Sequence, residues 1–292
     1  MITYLLFVIL LYFIFSVFLP LALSLSYKLS KEKDLMSSLE NSKIAVFIPA
    51  YKEDAVIEKT VKNTLLQNYP RDRYEVIVIA DQINEQVIYS LKKLKINVFE
   101  VSFLKSTKAK ALNAAFNRIG DCGFELALIV DADNHLDKNF LNIINAHYQN
   151  GSIAMQGRRE AKNISEATAF LDGISEIANT NIFGKGAENL GLSARLAGSG
   201  MAFRYDLLRR LMKEATAIGG FDKEMELKLT KEKIKIDFLS RAIIYDEKVN
   251  NPKVFSKQRS RWLQAQYHFL MLYWLSGFKG LIQKEILITV IQ

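Results

Sequence analysis

Residues 125–133 have the sequence ELALIVDAD, an apolar run of β-forming residues that ends in two aspartates separated by one alanine. Such a run predicts a strand buried on both faces, as in a parallel sheet covered by helices. Asp131 and Asp133 would then lie at the carboxyl end of the strand, where open α/β sheets hold their ligands. Two carboxylates at this spacing can share a hard divalent cation, Mg²⁺ or Mn²⁺, which would neutralise a diphosphate. For Asp-x-Asp alone, a solvated turn is the alternative interpretation.

Apolar β-forming runs alternate with amphipathic stretches on both sides of this segment, which predicts an α/β fold with a mainly parallel sheet. Strands are expected at 43–49, 74–80, 95–101, 125–130 and 152–157, and helices at about 54–68, 85–94, 107–118, 136–150 and 165–183. Farther along, the pattern predicts a strand with a Gly-Ser-Gly kink at 196–204, a helix at 224–231, and a strand pair or one bent strand at 234–245.

The first 27 residues carry no charge, and their apolar run is longer than the ~20 residues that a membrane-spanning helix needs. We therefore expect a transmembrane helix at 1–27; a cleaved signal peptide is the rival, although no basic region precedes the apolar run. Lys28, Lys31 and Lys33 follow directly, and the positive-inside rule places the rest of the chain in the cytoplasm. The predicted organisation continues with a basic linker at 28–42 and an α/β domain at 43–262. An interfacial amphipathic helix follows at 263–292, whose apolar end either begins a second membrane segment or is a buried tail.

The composition excludes several classes of protein. With 50% hydrophobic and 24% charged residues among 292, the chain is not disordered, and one compact domain is expected. The single Cys122, expected to be a small buried hydrophobe, cannot form an internal disulfide and lacks zinc-ligand spacing. The net charge of +8 favours an anionic partner. Because the basic residues are scattered and match no nucleic-acid-binding motif, nucleic acid is not the expected partner.

Further short segments accompany Asp131-Ala132-Asp133 in a definite order. They are IPAYKE at 48–53, Asp81, KAKALN at 108–113, QGR at 156–158, GSGM at 198–201 and QRSRW at 258–262. In this order they resemble the family 2 inverting glycosyltransferases, particularly the membrane-integrated branch that contains the cellulose, chitin and hyaluronan synthases. Lys52 stands where that family usually has Asn. Most of the segments are weak singly, so their ordered occurrence over about 43–262 carries the resemblance, and Gln-x-x-Arg-Trp is the most specific match.

The resemblance implies a GT-A-like domain that binds a nucleotide sugar, with a UDP-sugar as the expected donor. The residues it implies for the donor are Pro49, Tyr51, Glu53, Asp81, Lys108, Asp131, Asp133 and Arg261, with Asp131 and Asp133 also holding the metal. The residues it implies for the acceptor are Gly198, Ser199, Gly200, Gln258 and Trp262. Arg261 would stabilise the departing nucleoside diphosphate, and Trp262 would offer a flat face to an acceptor sugar. A membrane-interface anchor is the other interpretation of Trp262.

Inverting transfer also needs one general base that takes the proton of the acceptor hydroxyl. The family's usual Thr-Glu-Asp is replaced here by Asp222-Lys223-Glu224. In this alignment Glu224 occupies the position of the base, Asp222 is the alternative, and Glu226 is a more distant third. The other interpretation is that these acidic residues only complement the start of a helix.

The sequence thus predicts a membrane-bound β-glycosyltransferase with a glycan or lipid-linked acceptor. Gln-x-x-Arg-Trp favours a processive polysaccharide synthase, but such an enzyme would need further spanning helices or a second membrane subunit. Two alternatives remain open: a non-catalytic nucleotide-sugar-binding protein that regulates or scaffolds a synthase, and a nucleotidyltransferase. The latter leaves Trp262 and the membrane segments unexplained.

Overall fold

The computed structural model describes residues 2–29, 40–120, 122–215 and 217–282. The strands are β1 Ile44–Tyr51, β2 Tyr74–Asp81, β3 Asn97–Val101, β4 Leu126–Ile129, β5 His135–Leu136, β6 Ala154–Ala161, β7 Met201–Arg204 and β8 Asp237–Asp246. The helices are α1 Ile2–Leu29, α2 Ile57–Thr64, α3 Glu85–Lys93, α4 Lys108–Ile119, α5 Phe140–Gln149, α6 Ala167–Asn179, α7 Ala187–Asn189, α8 Tyr205–Met212, α9 Phe221–Lys231 and α10 Pro252–Ile282. A π-helical segment, Thr180–Gly186, joins α6 to α7.

The strands form one mixed, mostly parallel sheet in the order β3-β2-β1-β4-β7-β6-β8-β5. Neighbours among β1, β2, β3 and β4 are parallel, as predicted, and β7 is antiparallel to both β4 and β6. Alternate residues of the central strands face opposite cores: Val46 and Leu128 belong to one, Phe47 and Ile129 to the other. Burial on both faces explains why the central strands are continuous apolar runs.

The second half of the domain departs from the predictions. The kinked strand expected at 196–204 is wrong in its first part, because Gly198 and Gly200 have φ angles of +82° and +67° and form a turn before β7. The helix expected from residue 136 begins at Phe140, since β5 first pairs with β8. Residues 237–246 form one strand, with a register shift opposite Gly157 and Arg158. Helix α8 was not predicted, and Cys122 is exposed rather than buried.

Helix α1 is long and apolar enough, over Ile9–Leu29, to cross a membrane. Most of its described side chains are exposed, but its C-terminal part packs on the domain. Leu23 is fully buried in a small cluster with Ala187 and Leu192. The contact depends on Gly186, where an added Cβ would lie 2.2 Å from the backbone oxygen of Leu23.

Helix α10 begins at Pro252, upstream of the predicted start of the interfacial helix, so that the whole of Gln258–Trp262 lies within it. It packs on the turn before α9, where Ala265 and Phe269 approach Gly220. The apolar stub expected at 286–291 lies outside the described residues.

Candidate active site

The end of β4 is joined to the Gly198–Gly200 turn by a compact hydrogen-bond cluster. The backbone N–H of Asp131 donates to Ser199 Oγ at 2.9 Å, and that of Gly200 donates to the Ile129 carbonyl at 2.9 Å. Lys108, in the first turn of α4, donates both to the Asp131 carboxylate and, at 2.6 Å, to the Gly198 carbonyl. Residues from three separated parts of the sequence therefore meet at the carboxyl end of the sheet.

Negative charge accumulates around Asp133. Burial is the largest cause, followed by the carboxylates of Asp131, Asp246 and Glu53, and together they raise its pKa from the ordinary 3.8 to about 6. The pKa of Glu53 is also raised, first by burial and then by Asp131. Such mutual repulsion is relieved by a cation, so the carboxylate cluster fits a divalent metal ion.

Asn134 fixes the geometry of this cluster. It is fully buried, and its Nδ2 donates to Asp133 Oδ1 and to Asp246 Oδ1, both at 2.9 Å. Asp246 in turn accepts hydrogen bonds from Arg159 and, at 2.9 Å, from Lys248. No group of three or more potential ligands is assembled within the described ranges. Asp131 and Asp133 would therefore need oxygens from a diphosphate or from water to complete a metal's coordination.

A second feature lies where β1 and β2 end side by side. Tyr51 pairs with Asp81 in the parallel register, and Tyr51 is 46% exposed whereas Asp81 is 2% exposed. Asp81 Oδ1 has no hydrogen-bond partner among the described atoms. Because an unpaired buried acceptor is costly, this oxygen is suited to accept an N–H from a ligand such as a nucleobase.

The backbone between Tyr51 and Glu53 is unusual. Lys52 has a φ of +57°, in the left-handed region, and its N–H donates to the Asp81 carbonyl at 3.2 Å. Asn adopts this conformation more readily than Lys, which gives a physical reason for the Asn usual at this position in the resembling family.

Gln156 and Arg159 shape the turn on the acceptor side of the predicted site. Gln156 Oε1 accepts from the N–H of Ala197 at 2.8 Å, and its Nε2 donates to the Ser199 carbonyl at 2.9 Å. Arg159 donates to the Ala197 carbonyl at 2.5 Å. Sequence reasoning missed Asn134, Arg159 and Asp246 as supports of the site, because only the tertiary fold shows that they are neighbours.

Most of the acidic residues of α9 are buried and hydrogen-bonded. Glu224 is 4% exposed, and its Oε2 accepts from the Ala217 N–H at 2.9 Å. Glu226 is 1% exposed and accepts from the N–H of Leu196 at 2.5 Å, at the entry to the Gly198–Gly200 turn. Burial raises the pKa of Glu226. Asp222, in the first turn of the helix, is partly exposed.

The Gln-x-x-Arg-Trp residues of α10 differ in how far they are buried. Gln258 Oε1 is buried and has no hydrogen-bond partner in the described part of the chain. Arg261 and Trp262 are exposed, and no hydrogen bond or ion pair joins Arg261 to the described carboxylates. Arg259 instead donates to Asp172 on α6 and stacks over the Trp262 ring at 4.5 Å. The structure thus gathers Lys108, Asp131 and the glycine turn but does not bring Arg261 to them.

The fold and these polar residues define a class of protein: an α/β domain whose candidate ligand-binding residues gather at the carboxyl ends of β1, β2 and β4. Residues 41–265 match the sequence model of the family described as Glycosyltransferase like family 2. The chain belongs to this family.

Two curated relatives have similar sequences. The probable glycosyltransferase YdaM of Bacillus subtilis (strain 168) is 24% identical over 259 residues, covering 85% of this chain and 60% of YdaM. The beta-monoglucosyldiacylglycerol synthase of Nostoc sp. (strain PCC 7120 / SAG 25.82 / UTEX 2576) is 24% identical over 257 residues, covering 83% and 52%. The chain therefore spans between about half and three fifths of the length of these relatives.

Solved structures confirm the predicted GT-A-like fold. The mannosyltransferase PcManGT from Pyrobaculum calidifontis, in complex with GDP-Man and Mn²⁺, superposes with a TM-score of 0.57 at 20% identity, covering 78% of this chain and 64% of that one. S. aureus TarS 1–349, in complex with UDP-GlcNAc, gives a TM-score of 0.50 at 19% identity, with coverages of 72% and 59%.

Proposed function

We propose that this glycosyltransferase transfers a sugar, with inversion to a β-linkage, from a nucleotide donor to a lipid-linked or glycan acceptor at the cytoplasmic face of a membrane. The observation that carries the proposal is the cluster of Lys108, Asp131 and Ser199 beside the repelling carboxylates of Asp133 and Glu53. The Lys108 ammonium group and several carboxylates at the carboxyl end of the sheet are suited to bind a metal ion together with a diphosphate.

The nucleoside end of the donor is assigned to Tyr51 and Asp81. The unpaired oxygen of Asp81 can accept an N–H from the base, while the exposed ring of Tyr51, with Lys52 Nζ 5.3 Å from its centroid, can stack on the base. The similar structures bind GDP-Man and UDP-GlcNAc, which supports a nucleotide sugar without deciding the base. We retain a UDP-sugar as the proposed donor.

Asp131 and Asp133 would hold Mg²⁺ or Mn²⁺, as the complex of PcManGT with Mn²⁺ supports. The bound metal would neutralise the charge that develops on the departing diphosphate. Lys108 already places an ammonium group at Asp131 and can hold a diphosphate oxygen there. Arg261 is proposed to contribute a second cation, which requires movement of its side chain or of α10 from its exposed position.

The general base is assigned to Glu224 or Asp222. A base must reach the acceptor hydroxyl, and Glu224 can do so only if it leaves both the N–H of Ala217 and the ammonium group of Lys228, which lies 3.5 Å from its Oε1. Asp222 is already partly exposed and needs no such release. Gln258 and Trp262 are proposed to meet the acceptor together with the glycine turn.

The acceptor is proposed to be a glycan or a lipid-linked molecule, and two observations favour a lipid. The apolar helix α1 could anchor the enzyme beside such an acceptor, and one relative is a beta-monoglucosyldiacylglycerol synthase. The buried, hydrogen-bonded state of Glu224 favours one rival: a nucleotide-sugar-binding protein that regulates another transferase and does not catalyse transfer.

The test is an assay of membranes containing the full chain with a panel of labelled UDP- and GDP-sugars, with and without Mn²⁺. We expect Mn²⁺-dependent release of nucleoside diphosphate and incorporation of label into the lipid extract from one donor. Asp133→Ala should abolish both, whereas Asp137→Ala, on the neighbouring loop, should abolish neither. Binding of a donor without release or incorporation under any condition would support the regulatory rival.

A further inference from the structure

A cavity of about 290 Å³ lies where the end of α1 meets the domain. Its walls include Lys28 and Tyr27 from α1, Arg158 from β6, Asn181 and Lys185 from the π-helical segment, and Ser240 from β8. Three of these side chains are cations, and none of the described residues that line the cavity is a carboxylate. This site is separate from the cluster around Asp131.

Two glycines of the π-helical segment allow elements beside the cavity to pack closely against it. An added Cβ at Gly184 would lie 2.8 Å from the ring of Phe238, and one at Gly186 would lie 2.2 Å from the backbone oxygen of Leu23. The two glycines therefore hold β8 and α1 on either side of the segment, and the cavity forms between them. Side chains at these positions would push the walls apart.

The cations of the cavity are only partly neutralised. Lys185 lies 3.3 Å from Glu188, and Arg158 lies 3.0 Å from Glu160. Lys28 forms no ion pair with any described carboxylate. Three converging cations, together with the side-chain N–H groups of Asn181 and the hydroxyl of Ser240, match the several oxygens and the negative charge of a phosphate.

The position of the cavity indicates the source of that phosphate. Lys28 is in the last turn of α1, whose window Ile9–Leu29 could cross a membrane. The π-helical segment continues from α6, on which Phe170, Leu171 and Ile174 are 48–65% exposed. Exposed apolar side chains thus lie on both helices that lead into the cavity, as expected near the headgroup level of a bilayer.

We propose that this cavity binds the phosphate of an anionic glycerophospholipid and thereby fixes the domain against the bilayer. The inference rests on the membrane placement of α1 in the proposed function, but it does not depend on sugar transfer. Each cation near an anionic lipid surface strengthens binding about fivefold. Because Glu160 and Glu188 offset part of this effect, replacing all three cations should weaken lipid binding on the order of tenfold or more.

The experiment measures lipid retained by the full chain in neutral detergent micelles, using native mass spectrometry. Phosphatidylglycerol, phosphatidylcholine and soluble glycerol 3-phosphate are added in separate arms. The cavity variant carries Lys28→Gln, Arg158→Gln and Lys185→Gln. The control variant removes the same charge at exposed positions elsewhere, with Arg73→Gln, Lys93→Gln and Lys213→Gln.

We expect the native chain and the control variant to retain phosphatidylglycerol in preference to phosphatidylcholine, and the cavity variant to lose that preference. A further variant, Ser240→Glu, keeps every cation but adds a carboxylate to the cavity, and it should also lose the preference. Thermal unfolding of each variant shows whether it remains folded, and donor binding reports the active site independently. Equal retention by the native chain and both cavity variants would overturn the proposal. Equal loss in the control variant, or binding of glycerol 3-phosphate as tight as that of the lipid, would also overturn it.

Discussion

Replacing Asp133 by Asn should stabilise the metal-free protein while removing its response to metal. The pKa of Asp133 is raised from 3.8 to about 6, which is about 2 pH units. Because each unit corresponds to about 1.4 kcal/mol, the ionised carboxylate destabilises the native state by about 3 kcal/mol at neutral pH. The folded pKa lies above the unfolded one, so this penalty is present above pH 6 and disappears as the pH falls from about 6 to 3.8. Asn removes the charge and can still accept the hydrogen bond from Asn134.

The assay is thermal unfolding of the full chain in detergent at pH 7.5, first with EDTA and then with Mn²⁺ and UDP. At about 2–4 °C per kcal/mol, Asp133→Asn should raise the unfolding temperature in EDTA by several degrees. Mn²⁺ and UDP should stabilise the native chain further but not Asp133→Asn. Asp137→Asn is the matched control and should behave as the native chain. A fall in the unfolding temperature of Asp133→Asn in EDTA, or an undiminished gain with metal, would refute the electrostatic account of this site.

Three further substitutions test other parts of the structure. If Glu224 is the base, Glu224→Gln should keep donor binding and lower transfer at least a hundredfold in the labelled-sugar assay; an active Glu224→Gln with an inactive Asp222→Asn would move the base to Asp222. Gly186→Ala should lower the unfolding temperature by several degrees, since overpacking against α1 costs about 1–3 kcal/mol, whereas Gly219→Ala, with open space around it, should leave it unchanged. Trp262→Ala should raise the acceptor KM at least tenfold without changing the donor Kd measured by calorimetry; equal weakening of both would contradict a role confined to the acceptor.

Local sequence patterns predicted the parallel half of the sheet well, because β1, β2 and β4 are buried on both faces and are followed by polar residues. The same patterns placed Asp81 and Asp131 at strand ends, where the structure has them. Predictions failed where the backbone depends on long-range contacts. The β5 pair forms only because β8 lies beside it, and α8 follows β7 without an intervening loop that the sequence could signal.

The candidate site, like the fold, was predictable from the sequence only in part. The order of the motifs predicted that Lys108 and Asp131 belong to one site, as they do in the structure. It could not show that Asn134 links Asp133 to Asp246 across more than a hundred residues. The sequence also did not show that Glu224 is hydrogen-bonded, because its partner Ala217 belongs to an irregular loop without a recognisable pattern. Spacing along a chain specifies neighbours within one element, whereas these contacts arise from how separate elements pack.

The central claim is that Asp131 and Asp133 bind a metal ion together with the diphosphate of a nucleotide sugar. Electron paramagnetic resonance of Mn²⁺ titrated into the full chain, with and without UDP, tests it most directly. The pair alone offers few ligands, so Mn²⁺ should bind weakly without nucleotide and tightly, one ion per chain, when UDP supplies the remaining oxygens. Asp131→Asn and Asp133→Asn should each abolish the tight binding. Binding of Mn²⁺ that is the same with and without UDP, or that survives both substitutions, would contradict the claim.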